Sequence, residues 1–343
     1  MARRKARSSG KLEPAVKTLI FSLPAGNRFI DLSQVCSIVN RRFYRQGLNW
    51  AVSSLEVQAI PNPAELFATG TVRISKIPDT WIASNAWEKG MRSWLKLQNE
   101  AVDELPSVKP KFLDFKVYAD ADHHALGSGA NLMPLDFTGL IPPVKGEWEY
   151  SKAIIPITEP DAGAGTTAER DFVWTGANYP GTSPTTGNNA VSLIEGYAAS
   201  RGLPDIRDPN APDDADDTLG GTPENWIAAI FNEGLPQDHE VIEDMLTENN
   251  LAPYPFENGT VDGVTFTDTM YPGGANQIAG MQLHDELLIT STTVGGSDTS
   301  PGTNFQGGLI RFDSTVENGT LRLILRLVPG PHRGYLCQPQ KDV

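Results

Sequence analysis

PDTWIASNAWEKGMRSWLKLQNEAVDELPSVKPKFLDFK, residues 78–116, decides how the rest of the chain is organised. Pro78 stops the segment before it, and Asp79 is placed to cap the first helical amides. Trp87, Met91, Trp94, Gln98, Val102 and Leu105 then recur at helical spacing until Pro106 ends the run. Glu88, Lys89, Arg92, Lys96, Glu100 and Asp103 fall mostly off that stripe, toward water. Two indoles on one helix face make a large apolar plug, since each such side chain buries roughly 150–250 Å². A plug of that size predicts a broad sheet beneath it, with the Trp stripe as core packing and not as a ligand-stacking surface.

The flanking sequence supplies strands. LIFSL (19–23), FIDLSQVCSIV (29–39), LNWAVSSLEVQAI (48–60) and LFATGTVRISKI (66–77) have β texture, with Pro61 and Pro63 as breakers. NRRFYRQG (40–47) reads as a basic turn. Beyond the helix, KFLDFKVYADADHH (111–124), GEWEYSKAIIPI (146–157) and DFVWTG (171–176) are expected strands. HDELLITSTTV (284–294), NFQGGLIRFD (304–313) and GTLRLILRLVPG (319–330) complete the set, with Asn318-Gly319 as a hairpin turn pair. Between them NNAVSLIEGYAASRG (188–202), PENWIAAIFNEGL (223–235) and HEVIEDMLTENN (239–250) predict short helices. The expected organisation is therefore a disordered basic arm over 1–17 and a mainly β body over 18–343. An elaborated insertion occupies about 158–280 of that body.

With 32 glycines, 26 prolines and 39% hydrophobic residues, the 343-residue chain suits short strands, many turns and some long loops. It can bury one large all-β domain or two smaller ones. No run of 18 apolar residues is present, so no membrane span is expected, and the polar, basic start has no apolar core like that of a signal peptide. Cys36 and Cys337, far apart in a chain without an export signal, are expected as reduced thiols. The sequons at Asn258 and Asn318 matter only in a secreted chain.

Charge is unevenly distributed. Residues 1–17 carry Arg3, Arg4, Lys5, Arg7, Lys11 and Lys17 against Glu13, a balance of +5. Residues 18–120 come to +2 and residues 121–343 to −21, which together give the net −14. A cationic tip can neutralise phosphates and release their counterions, an attraction blind to sequence; such clusters also act as nuclear-import signals or as plain solvated ends. Arg41, Arg42 and Arg45 sit close together in the basic turn and, with the arm, offer an inner nucleic-acid surface. Ordinary surface charge or salt bridges between subunits is the somewhat stronger reading of the three.

The motifs of catalysis are missing. The sequence has no Walker loop, no G-x-G-x-x-G after a strand, no H-E-x-x-H, no zinc-like cysteine spacing and no G-x-S-x-G. No enzyme, cofactor or metal assignment follows. His123 and His124, as neighbours on a strand, would point to opposite faces and so would not share an ion. DPNAPDDADDTLGG (208–221) lacks the ordered acidic positions of a calcium loop and reads as exposed.

Several stretches carry a resemblance to a known family. They are FIDLSQVCSIVNRRFYRQGLNW (29–50), PDTWIASNAWEKGMRSWLKLQNEA (78–101), KPKFLDFKVYADADHH (109–124), GEWEYSKAIIPI (146–157), SLIEGYAASR (192–201), GGLIRF (307–312) and LVPGPHRGYLCQP (327–339). Together these resemble the capsid proteins of circular Rep-encoding single-stranded DNA viruses. The resemblance implies a jelly-roll β-sandwich of eight strands with inserted helices and long loops. It further implies copies of the chain in an icosahedral shell, and an arm facing packaged single-stranded DNA. The corresponding location is the virion, with the host nucleus during assembly and a host receptor or glycan as an outer partner. The arm here is shorter and less basic than in many relatives. A carbohydrate-binding β-sandwich is the competing reading, with Trp148, Tyr150, Trp174 and Tyr179 as candidate sugar contacts. A hydrolase on an all-β scaffold is the third.

Overall fold

The computed structural model describes residues 14–60, 69–103, 112–136, 138, 146–156, 167–176, 179–180, 189–201, 259–261, 264–266, 280–317 and 319–342. Residues 1–13, the acidic stretch 208–221 and the helices expected over 223–250 lie outside them. The chain divides into two units, 1–197 with 269–343, and 198–268.

The chain begins with β1 (Thr18–Leu23), β2 (Gly26–Asp31), α1 (Leu32–Asn40), β3 (Leu48–Ile60) and β4 (Thr69–Lys76). Next come α2 (Trp81–Asp103), α3 (Ala121–Leu126), β5 (Lys152–Pro156), β6 (Thr167–Val173), β7 (Tyr179–Pro180), β8 (Asn189–Ser192) and α4 (Leu193–Arg201). A two-stranded pair, β9 (Gly259–Val261) and β10 (Val264–Phe266), belongs to the second unit. The chain closes with β11 (Gln282–Ile289), β12 (Ser297–Phe305), β13 (Leu309–Glu317) and β14 (Thr320–Leu327). Three short strands follow, β15 (Pro329–Gly330), β16 (Gly334–Tyr335) and β17 (Cys337–Pro339).

The fold is mainly β. One antiparallel sheet runs β1-β14-β3-β12, with β17 also on β3; the other runs β11-β4-β13-β2. Alternation along each strand turns one set of side chains inward. In β14, Leu321, Leu323, Leu325 and Leu327 are buried while Arg322, Ile324 and Arg326 face away. The inward residues of both sheets, among them Phe21, Trp50, Leu323, Val72, Leu287 and Phe312, form one apolar cluster. Burying each such Leu, Val or Phe contributes about 1.5–3 kcal/mol, so this cluster dominates the energetics of the sandwich.

Several sequence expectations need correction. FIDLSQVCSIV is not one strand: β2 ends at Asp31, whose Oδ1 accepts from the amides of Ser33 (3.0 Å) and Gln34 (3.2 Å) and starts α1. Capping by Asp31, with Leu32, Val35 and Cys36 buried on one helix face, outweighs the partial alternation. Asn318-Gly319 does not close a hairpin, because β13 pairs with β2 and β4 while β14 pairs with β1 and β3 in the other sheet. NFQGGLIRFD likewise crosses between sheets, through Gly307 (φ 63°) and Gly308 (φ 69°) between β12 and β13. Only glycine takes two successive left-handed residues without steric cost. Residues 112–117 are not a regular strand, and 146–151 precede β5 rather than belonging to it.

The Trp helix forms, as α2, but Thr80 and not Asp79 caps it: Ala83 N donates to Thr80 Oγ1 (3.3 Å) while Asp79 receives Gln306 Nε2 (3.0 Å). Its indoles also meet something other than the large sheets. Trp87 stacks on Trp174 (ring centroids 6.3 Å apart) and packs on Phe115 (5.9 Å). Trp94 packs on Phe115 (5.5 Å) and donates from Nε1 to the Lys152 carbonyl (3.1 Å). The plug therefore seals a second core, built from residues 113–119 and the small sheet β5-β6-β8-β7. All of this lies between β4 and β11, an excursion from residue 77 to 281 that includes the expected insertion. Cys36 is buried and Cys337 partly so, and both are free thiols. Among the described residues no helix is long and apolar enough to cross a membrane.

Candidate nucleic-acid interface

The basic turn is a tied loop. Helix α1 ends at Asn40, and Arg41 takes a left-handed conformation (φ 52°) that reverses the chain. The amide of Tyr44 donates to Ser37 Oγ (2.9 Å), folding the loop back on the helix. The Tyr44 hydroxyl donates to the Arg333 carbonyl (3.0 Å), and the Arg333 guanidinium returns a hydrogen bond to the Phe43 carbonyl. Loop 41–47 and the turn before β16 thus hold each other.

The root of the arm passes the same place. Val16 N donates to Asn40 Oδ1 (3.0 Å), Asn40 Nδ2 donates to the Tyr335 hydroxyl (2.8 Å), and that hydroxyl donates to the Val16 carbonyl. Leu327 N donates to the Lys17 carbonyl (2.8 Å). Of the sequence candidates, Lys17 lies at the arm root, and Arg41, Arg42 and Arg45 lie on the loop after Asn40, to which that root is tied. Arg3, Arg4, Lys5, Arg7 and Lys11 lie outside the described residues. Arg41 and Arg45 are exposed; Arg45 reaches Asp114 (3.6 Å), donates to the Leu113 carbonyl and lies 5.6 Å from the Phe43 ring centre.

Beside this loop opens a cleft of about 760 Å³. Trp87, Met91 and Trp94 of α2 form one wall, and Phe112 to Phe115 another. Phe43, Arg41 and Arg45 supply the loop side, and Arg333 and Lys341 close it from the C-terminal segment. Sequence reading had not picked out Arg333, Lys341 or Phe112 as site residues. Gly47 is where the loop meets α2: a Cβ there would stand 2.3 Å from Cη2 of Trp87.

Gln46 fixes the wall that carries Asp114. Its Nε2 donates to Asp31 Oδ2 (3.0 Å) and to the Val117 carbonyl (3.0 Å), its Oε1 accepts from Val117 N (2.6 Å), and its amide donates to Asp114 Oδ2 (2.9 Å). Burial pushes the Asp31 carboxyl up to about 7 and that of Asp114 to about 6, against the hydrogen bonds that favour their ionised forms.

A second polar cluster lies next to it. His123 and His124 sit on helix α3, not on a strand, so the argument from opposite strand faces does not apply. His123 Nδ1 accepts from Ala119 N (3.0 Å), which leaves Nε2 to donate to Asn131 Oδ1 (2.8 Å). Asn131 in turn donates to Gln34 Oε1 (2.8 Å) and the Tyr150 hydroxyl (2.9 Å). Burial lowers His123 to about 3, so the ring is neutral and fully engaged. Arg311 pairs with Asp120 (2.6 Å) and Asp122 (2.7 Å). His124 Nε2 bonds Asp171 (2.8 Å). With most of its hydrogen bonds closed on themselves, this cluster ties elements together. Among the described residues no group of three or more His, Cys, Asp and Glu is placed to hold a metal ion.

Three of the four aromatic candidates for sugar binding are not on the surface. Trp148, Tyr150 and Trp174 are buried, and Lys116 Nζ covers the Trp148 ring at 4.6 Å; the Tyr179 side chain lies outside the described residues. No protein-family model, no curated protein and no solved structure matches the chain.

Proposed function

We propose that the chain is a capsid subunit that assembles with copies of itself into a closed shell and encloses single-stranded DNA. Leaving aside the three-residue β17, the eight strands of the two large sheets, counted along the chain, run 1-8-3-6 and 5-4-7-2. That order supports a jelly-roll, an architecture that capsid and lectin domains both use. Fold alone does not separate those two uses. The observation that carries the reading is that the arm root, through Val16, is tied to Asn40 just before the basic Arg41–Arg45 loop, on a chain of net charge −14. A polyanion held there by a cationic arm leaves the acidic remainder for the outside or for contacts between copies. Burial of Trp148, Tyr150 and Trp174 counts against the carbohydrate reading, which needs exposed rings for stacking.

Expression of the full chain and electron microscopy of the purified protein tests this: regular closed particles are expected. Absence of particles across salt and pH sinks it. Deleting residues 2–11 is expected to spare assembly and lower the nucleic acid recovered per particle. Equal nucleic-acid content in both particles removes the role given to the arm.

A further inference from the structure

The cleft beside the basic loop has a chemistry that charge neutralisation alone does not use. Its volume of about 760 Å³ lies within the roughly 300–1,000 Å³ typical of pockets that enclose small ligands. Arg41, Arg45, Arg333 and Lys341 line it together with Asp114, which pairs with Arg45, an excess of cations on a strongly acidic chain, which selects an anion. Phe112 is 61% exposed at its rim and meets Phe43 edge-on, with centroids 5.3 Å apart at 68°. An aromatic ring kept in water is a stacking platform for a flat ligand. Two residues of the lining, Trp87 and Gln340, each carry a buried polar atom without a hydrogen-bond partner, Nε1 and Oε1. One is a donor and the other an acceptor, and leaving such atoms unpaired is costly.

We propose that this cleft seats one nucleotide of a single strand, its base against Phe112 and Phe43 and its phosphate among Arg41, Arg333 and Lys341. A nucleobase offers a π-face together with an edge of donors and acceptors, and only an unpaired base has both within reach of a protein cleft. An acidic peptide satisfies the cations but not the aromatic platform. The arm begins beside Arg41's helix end, so a strand held by the arm is delivered to the cleft. The inference rests on the nucleic-acid reading above and adds the body of the subunit, not only its arm, as a binding element.

The test is photo-cross-linking of the full chain to an oligodeoxythymidine of about 16 nucleotides carrying 5-bromodeoxyuridine, mapped by mass spectrometry. Cross-links at Phe43 or Phe112 are expected with the single strand and not with its duplex. Phe112→Ala is expected to lose them and to weaken oligonucleotide binding about tenfold. Lys341→Glu is expected to lower the slope of log affinity against log salt by about one. Both positions are exposed; if a variant nevertheless fails to fold, the cross-link map of the unaltered chain decides. Cross-links confined to residues 1–17, or unchanged affinity in both variants, overturn the proposal. It is overturned equally if a peptide of residues 208–217 occupies the cleft and single-stranded DNA does not, since the occupant is then an acidic segment of this chain or of a second copy. Shells without cleft cross-links refute only the cleft; cleft cross-links in a chain that never assembles refute only the shell.

Discussion

Two polar regions share the segment from Phe112 to Asp120, and they are built in opposite ways. On the inner side Gln46 bonds Asp31, Asn131 bonds His123 and Tyr150, and Arg311 bonds Asp120. On the outer side the cleft leaves Trp87 Nε1 and Gln340 Oε1 unpartnered and its cations facing water. A closed network in low dielectric resists change, whereas an open one is ready for a ligand. The difference teaches that buried histidines and carboxylates here are mortar. The cleft proposal rests instead on incomplete bonding beside exposed aromatic and cationic groups.

Breaking the closed region should have the largest effect. Arg311 is 9% exposed and its partner Asp120 2%, so Arg311→Met leaves a buried carboxylate without its cation. The expected loss is about 3–5 kcal/mol by urea unfolding. Adding Asp120→Asn should recover part of it, since an amide oxygen still caps α3 at the His123 amide (2.9 Å) and no charge is stranded. A loss below about 1 kcal/mol in the single variant removes the view that this pair is structural.

Gly47→Ala acts on the seam between the regions. The new methyl meets Trp87, whose ring is 4% exposed and packed, so overpacking should cost about 1–3 kcal/mol. Because Trp87 also lines the cleft, oligonucleotide cross-links at Phe112 should fall in the same variant. Lys341→Ala is the control, with stability changed by less than about 0.5 kcal/mol. A stable Gly47→Ala protein with an intact cleft separates the two regions that are here joined.

How far the sequence revealed these regions depends on the range of the interactions. Strand β3 has the bounds 48–60 read from its alternation, and the alternation of β14 was equally plain, because one buried face imposes period two locally. Asp31 was a capping residue in plain view, yet its helix was masked by a neighbouring β pattern. The turn pair Asn318-Gly319 signalled a hairpin, but which sheet each flanking strand joins is a non-local choice that no dipeptide encodes. At the site, Arg41, Arg42 and Arg45 were legible as a clump of like charge. Arg333 was not, since it reaches loop 41–47 across 289 residues, through the Tyr44 hydroxyl. Phe112 read as part of a strand, and only the folded loop turns it to solvent.

The smallest effect separates the regions by pH. Asp31 has its carboxyl raised to about 7 from an ordinary 3.8, so its neutral form is favoured by folding. Its contribution is complete below the unfolded value and is lost as pH rises through the folded one. Asp114, raised to about 6, behaves alike at lower pH, while His123, lowered to about 3, costs stability as pH falls below its unfolded value near 6.5. Between about pH 6.5 and 8 the His123 ring is neutral in both states and Asp31 dominates. Stability should then fall on the order of 1 kcal/mol across that window, read as a melting temperature lower by about 2 °C at pH 8. Cleft affinity should follow a different curve. Asp114 pairs with Arg45 in the lining, so its ionisation near pH 6 subtracts positive charge. Oligonucleotide binding is therefore expected to weaken from pH 5 to 7 and to flatten above it, where stability is still falling. Parallel curves for stability and binding would mean that the cleft and the closed network respond as a single unit, with no division between mortar and site.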